Sequence, residues 1–175
     1  MSGFNYNIKN KETSKMEEAG FSVFSIILFI IVLIILIGAA LLLMQPTPIK
    51  EPITQLVVQT GSSSVGTIIT GVNGMSLYIF KADTNGQSTC YDACAGFWPP
   101  LIVNEGVTPI GAGVNATLGV TRRNDGKYQV TANNMPLYYY AGDIVTGNIN
   151  GQGSVGSGAL WWVLTPLGQE ITNIP

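Results

Sequence analysis

The sequence predicts an all-β domain made of a duplicated β-hairpin repeat, carried outside a membrane by a single N-terminal transmembrane helix. Three observations predict it. Phe21 to Met44 runs 24 residues without a charge. Beyond that run, stretches of four to six residues rich in Val, Ile, Thr and Tyr alternate with Gly, Asn and Asp. Two segments sixty residues apart also repeat one another. The 175 residues include no histidine, carry a net charge of −2, and are only 10% charged. Lack of imidazole excludes a Ser-His-Asp triad, His-ligated zinc and a histidine proton shuttle. The slight acidity excludes the Lys/Arg footprint that nucleic acid requires.

The helix comes first. At 1.5 Å per residue the uncharged run spans about 36 Å, enough to cross a ~30 Å hydrocarbon core with some tilt. It has no polar face, unlike a soluble amphipathic helix. Ser14-Lys15-Met16-Glu17 reads as a capping box that starts the helix near Lys15. Lys9, Lys11 and Lys15 precede the span and only Lys50 closely follows it. The chain then divides into a cytoplasmic tail (1–20), a membrane span (21–44), a Pro-rich stalk (45–54) and an outer domain (55–175). Two other readings compete for this segment. Gly38-Ala39-Ala40 offers small residues for signal-peptide cleavage. Glu18-Ala19-Gly20-Phe21-Ser22 resembles the leader junction of type IV pilin-like proteins, which implies cleavage before Phe21; those proteins carry Glu where this chain has Ser25. No cysteine lies near the span to accept a lipid.

The outer domain reads as short strands and turns. Pro46, Pro48 and Pro52 stiffen the stalk. Strands are expected at Leu56–Thr60, Gly66–Gly71, Ser76–Lys81, Thr117–Arg122, Lys127–Thr131, Pro136–Ala141 and Leu160–Leu164. Asn73-Gly74 suggests a type I′ hairpin turn, with Asn124-Asp125-Gly126 and Asn133-Asn134 as later turn signals. Gly61–Ser64 and Gly151–Gly158 read as flexible loops.

The repeat is the strongest signal. Val72-Asn-Gly-Met-Ser-Leu-Tyr-Ile-Phe-Lys-Ala-Asp83 falls on Ala132-Asn-Asn-Met-Pro-Leu-Tyr-Tyr-Tyr-Ala-Gly-Asp143, with five of twelve positions identical. Each copy also ends near tryptophan: Trp98 in the first (about 55–103), Trp161 and Trp162 in the second (about 115–175). Two copies suggest a pseudo-two-fold domain, since a solenoid needs three or more.

Both copies, Tyr78-Ile-Phe80-Lys-Ala-Asp83 and Tyr138-Tyr-Tyr140-Ala-Gly-Asp143, fit the pattern Yx(FWY)xxD. The chain resembles a family of predicted secreted or lipoprotein repeats of unknown function that bears this pattern. Cys90-x-x-x-Cys94, Trp98-Pro99-Pro100-Leu101, Asp125-Gly126 with Gln129-Val130, and Pro136-Leu137-Tyr138 extend the resemblance over about residues 64–165. It implies an extracytoplasmic location and this architecture, and brings no activity.

Several residues are candidates for chemistry. Strand alternation puts Tyr78 and Phe80 on one face and Leu77 and Ile79 on the other, as for Tyr138 and Tyr140. These aromatics either line a core or form a shelf for a ligand. Asp83 and Asp143 read as turn residues accepting nearby backbone amides; as a symmetric pair they offer a cation site or an acid–base couple. Asp83-Thr-Asn-Gly faintly suggests a calcium loop without later ligands. Outside the cell, Cys90 and Cys94 are expected as a disulfide that fixes the approach to Trp98. The alternative is a redox-active pair, or a copper site with Met75 or Met135. Trp98, Trp161 and Trp162 form a candidate binding surface. Arg122, Arg123 and Lys127 read as a solvated cluster, and Asn115-Ala-Thr117 as a conditional glycosylation site. Gly111-Ala-Gly113-Val-Asn-Ala116 lacks the βαβ setting of a dinucleotide site. No metal or cofactor is called for. The functional expectation is a non-enzymatic binding module at the cell surface, with an unidentified extracytoplasmic protein or small molecule as partner. A redox accessory protein and a pilin-like subunit are the alternatives.

Overall fold

The computed structural model describes residues 22–45 and 51–174. The capping box at Ser14–Glu17, the lysine flanks with the rest of the tail, Phe21 with Glu18–Gly20 of the pilin-like junction, and Pro46 and Pro48 of the stalk lie outside the described residues. The chain divides into two compact units, Met1–Ile49 and Lys50–Pro175.

In the first unit, α1 spans Val23–Leu43. It is 21 residues long, and its most apolar 18-residue stretch has a mean hydropathy of 3.6, long and apolar enough to cross a membrane. Its side chains are exposed all round, and no ring of polar residues interrupts them.

The described residues of the second unit form ten strands and one short helix: β1 (Ile53–Ser63), β2 (Gly66–Gly71), β3 (Tyr78–Phe80), α2 (Asp92–Phe97), β4 (Ile102–Val103), β5 (Val107–Ala112), β6 (Leu118–Arg122), β7 (Tyr128–Ala132), β8 (Met135–Pro136), β9 (Val155–Gly156) and β10 (Ala159–Val163). All seven expected strands have counterparts, β2 with its bounds unchanged. Some bounds differ. β1 opens at Ile53, paired in parallel with Val107 of β5, so Ile53 and Thr54 of the expected stalk belong to a strand. It also runs on to Ser63, so Gly61–Ser63 is ladder rather than flexible loop. The run from Pro136 to Ala141 is strand only at its start and continues through isolated bridges at Tyr138. The Gly151–Gly158 stretch contains β9. β5 absorbs Gly111 and Ala112, so that glycine motif opens no helix.

Turn chemistry decides the connections. Asn133 and Asn134 both have positive φ, as a type I′ turn demands, and they join β7 to β8. At Asn73-Gly74 only the glycine has positive φ, so that turn is not type I′. Asn73 Oδ1 instead accepts the Met75 amide, a side-chain closure of the loop.

Each repeat contributes a hairpin, β1–β2 and β6–β7, and a following strand segment that returns onto it. Leu77 N–H donates to Ile69 O, and Leu137 N–H to Val130 O, at equivalent places. The last segment of each repeat then crosses to the other. β10 pairs with β3, and Ile69 N–H donates to Leu164 O at 2.9 Å. In the same way β4 pairs with β7, and Val130 N–H donates to Leu101 O at 2.9 Å. Successive residues of β2, β3 and β7 are buried, so these strands are covered on both faces even though Thr and Gln interrupt their apolar residues. Alternation sorts the side chains into two cores. Leu77, Ile79, Leu137, Trp162 and Leu164 enter one; Tyr78, Phe80, Tyr138, Trp161 and Val163 enter the other.

Candidate functional site

Tyr78 and Tyr138 meet where the repeats join. They form an antiparallel pair in which each amide donates to the other's carbonyl, at 2.8 and 2.9 Å. Their side chains then cross between repeats. Tyr78 Oη donates to Asp143 Oδ2 at 2.6 Å, and Tyr138 Oη donates to Asp83 Oδ2 at 2.5 Å. The remaining oxygen of each carboxylate accepts an amide from the loop that follows it. Thr89 N–H reaches Asp83 Oδ1 at 2.7 Å and Asn150 N–H reaches Asp143 Oδ1 at 2.8 Å. The motif thus closes in trans: the tyrosine of one copy is held by the aspartate of the other.

These groups are poised as structural donors and acceptors. Burial raises both aspartate carboxyls above their ordinary range, although the tyrosines and loop amides pull them back. Burial, followed by the neighbouring carboxylate, pushes both phenols well above the ordinary tyrosine value. Asp83 and Asp143 share no hydrogen-bond partner: each is held by its own loop amide and by the tyrosine of the other repeat. The turn after Asp83 uses positive φ at Asn85 and Gly86 and aims the carboxylate inward, opposite to a calcium loop. Among the described residues no three His, Cys, Asp or Glu side chains gather into a metal-binding group.

The same symmetry orders the rings. Phe80 stacks on Trp161 with centroids 4.1 Å apart, Trp161 on Trp98 at 3.8 Å, and Trp98 lies against Tyr140 at 4.4 Å. Tyr78 and Tyr138 meet the two central indoles edge-on, at 5.3 and 5.2 Å. Tryptophan and its partner ring come from different repeats at both ends, the consequence of the exchanged strands. Trp98, Trp161 and Trp162 are 4%, 0% and 8% exposed, which corrects the expectation of a tryptophan surface. Their large apolar area is what joins the repeats, and an exposed site would forfeit it.

A second correction concerns the basic cluster. Arg122 is exposed, but Arg123 is 3% exposed. Arg123 Nη1 donates to Ser88 Oγ at 2.7 Å and to Gln129 Oε1 at 2.6 Å, and Nη2 donates to Cys90 O at 2.8 Å. Its Nε pairs with Asp125 at 3.3 Å, and the guanidinium lies 4.4 Å from the Tyr91 ring centroid. Ser88 Oγ is also 2.7 Å from Tyr138 Oη. The single phenolic proton goes to Asp83, so Ser88 donates to Tyr138 while accepting from Arg123. Sequence reasoning read Arg123 as solvated and gave Ser88 no role, because the contacts of Ser88 with Arg123 and with Tyr138 join residues 35 and 50 positions apart; Gln129, six residues from Arg123, carried no signal of its own.

Cys90 and Cys94 form a disulfide. Cys90 is fully buried in the aromatic core, and Cys94 O accepts the Trp98 amide at 2.8 Å. The bond ties α2 to the segment before it, and the last turn of α2 leads directly into Trp98. With both thiols oxidised, Met75 and Met135 have no thiolate to share a copper ion with. Asn115 is exposed, so its sequon is accessible.

Beside this core lies a groove of about 360 Å³, lined by residues of α2 and of the β9 region together with Trp98 and Tyr140. Phe97 and Val155 stand on its rim, 66% and 75% exposed. Neither carried a sequence signal, since both α2 and β9 are too short to show a period.

The molecule outside α1 is therefore a duplicated β-repeat domain whose two copies exchange strands and share one aromatic core. Residues 59–102 and 119–165 each match the family described as a secreted repeat of unknown function, and the chain belongs to that family. The match spans just over half of the sequence and places the repeats outside the cell. No curated protein and no solved structure matches the chain.

Proposed function

We propose that this protein is a single-pass, N-terminus-in membrane protein whose outer domain is a non-enzymatic binding module, with the α2–β9 groove as its site. Uncharged α1 and the Lys9, Lys11 and Lys15 flank support the anchor and its orientation. The observation that carries the binding role is Trp98. It is 4% exposed, yet its indole N–H has no hydrogen-bond partner among the described residues, whereas Trp161 Nε1 donates to Gly156 O at 3.0 Å. No fully buried side-chain nitrogen or oxygen among the described residues lacks a partner, so this N–H is reached from solvent, and Trp98 lines the groove. What distinguishes this donor is its place in a pocket whose rims are exposed and apolar, which suits a ligand.

The test uses the full chain in lipid nanodiscs and a washed envelope fraction of the cell that makes it. Wild-type protein is expected to bind. Phe97→Ala with Val155→Ser is expected to lose at least tenfold in affinity, while Ile110→Ala, an exposed apolar site elsewhere, keeps it. Equal binding by all three removes the groove from the proposal. Protease added to intact cells should remove the outer domain and spare the tail; the reverse pattern overturns the orientation.

A further inference from the structure

We infer that the α2–β9 groove recognises an uncharged saccharide unit, an inference that rests on the groove being the binding site. None of the residues lining it carries a carboxylate, ammonium or guanidinium. A charged ligand entering such a lining loses hydration and gains no counter-ion. The ligand is therefore neutral.

Its polar pattern follows from what the lining leaves open. Trp98 Nε1 is a donor only, and it calls for an acceptor oxygen. Ser154 commits its hydroxyl proton to Gly151 O at 2.8 Å, so towards the groove it can only accept. Hydroxyl groups on a ligand can meet both needs, since a hydroxyl accepts from an indole N–H and donates to a serine oxygen. Ser157 and Tyr140, whose hydroxyls have no partner among the described residues, add groups able to do either. The rings of Phe97 and Tyr140 also line the groove, and they favour a flat C–H face over a branched aliphatic one. Alternating hydroxyls and C–H faces without charge describe a sugar ring. The volume of about 360 Å³ lies at the small end of ligand pockets, suited to one or two such rings. β9, with only two residues, offers little ladder for an extended peptide, which argues against strand addition.

The chain has three tryptophans, so the indole N–H region of a ¹H–¹⁵N spectrum holds three signals that report the site directly. Trp162 Nε1 also lacks a partner among the described residues but belongs to the other core, which makes it the internal control. Full-length protein in nanodiscs is titrated with neutral oligosaccharides (glucose-, mannose- and N-acetylglucosamine-based trimers) and with a neutral, apolar tripeptide. The expected result is a saturable shift of the Trp98 signal by at least one saccharide, with Trp161 and Trp162 unmoved. Phe97→Ala, at an exposed position that leaves the core intact, is expected to weaken that binding about tenfold. A Trp98 shift with the tripeptide alone overturns the saccharide assignment and leaves the groove standing. No shift from any probe at millimolar concentration also overturns it. A Trp98 indole proton that resists exchange with water overturns the groove reading itself.

Discussion

Replacing Tyr138 with Phe removes one oxygen from the crossed motif, and the hydrogen bonds that oxygen makes set the cost. The phenol donates to a 4%-exposed Asp83 carboxylate and accepts from Ser88, which in turn receives Arg123. A hydrogen bond to a charged group contributes about 1.5–3 kcal/mol, and a buried carboxylate left short of a donor keeps its desolvation cost. Tyr138→Phe should thus destabilise by about 2–4 kcal/mol, and Tyr78→Phe, which leaves no serine–arginine chain behind it, by about 1.5–3 kcal/mol. At roughly 4 °C per kcal/mol for a domain of this size, thermal unfolding falls by about 8–16 °C for the first. The decisive assay is a set of double-mutant cycles followed by denaturant unfolding. Tyr138→Phe with Asp83→Asn should show coupling of about 1 kcal/mol or more, as should Tyr78→Phe with Asp143→Asn. Within a single motif, Tyr78 with Asp83 and Tyr138 with Asp143, coupling should stay below about 0.5 kcal/mol. Stronger coupling within a motif than across motifs would refute the exchanged-repeat architecture.

Other expectations follow from the same geometry. In a spectrophotometric alkaline titration, Tyr78 and Tyr138 should ionise only as the domain unfolds. Their folded pKa values are raised, so the stability they add is complete below about pH 10 and is lost as pH rises beyond it towards the folded values. Asp83 and Asp143 are also raised: folded protein holds their protons longer, so their contribution is greatest below about pH 4 and declines as pH climbs through the folded values. Removing both carboxylates with Asn should flatten that acid limb; an unchanged limb would assign it to other groups. Arg123→Ala should cost about 3–5 kcal/mol in urea unfolding, since it strips a buried network of its charge, whereas Arg122→Ala should stay within about 0.5 kcal/mol. Breaking the disulfide with Cys90→Ser and Cys94→Ser should cost about 2 kcal/mol from loop entropy, with faster hydrogen exchange at the Trp98 amide. Fragments 51–112 and 113–174 should each fail to show cooperative unfolding alone and recover it when mixed; a folded single fragment would contradict the exchange of β4 and β10.

Several levels of this protein are written locally in its chain. The membrane-length helix is a property of composition: 24 consecutive uncharged residues need no tertiary partner to be recognised. β2, β6, β7 and β10 were legible because their β-branched and aromatic runs are bounded by Gly, Asn and Asp, and turn chemistry acts over four residues. The duplication was legible because Tyr78–Asp83 and Tyr138–Asp143 keep their spacing. Alternation even sorted Leu77 and Ile79 from Tyr78 and Phe80. What those local signals do not carry is partnership between distant positions. Tyr78 has an aspartate five residues away and bonds one 65 residues away, because strand twist and exchange bring the other repeat's loop to its hydroxyl. Arg123 looks like half of a solvated pair, and only the meeting of Ser88, Cys90 and Gln129 makes it a buried cation. The tryptophans look like a surface until four rings from two repeats are stacked. The groove is further still from the sequence: it is a gap between a six-residue helix and a two-residue strand, and such a gap exists only once everything around it has packed.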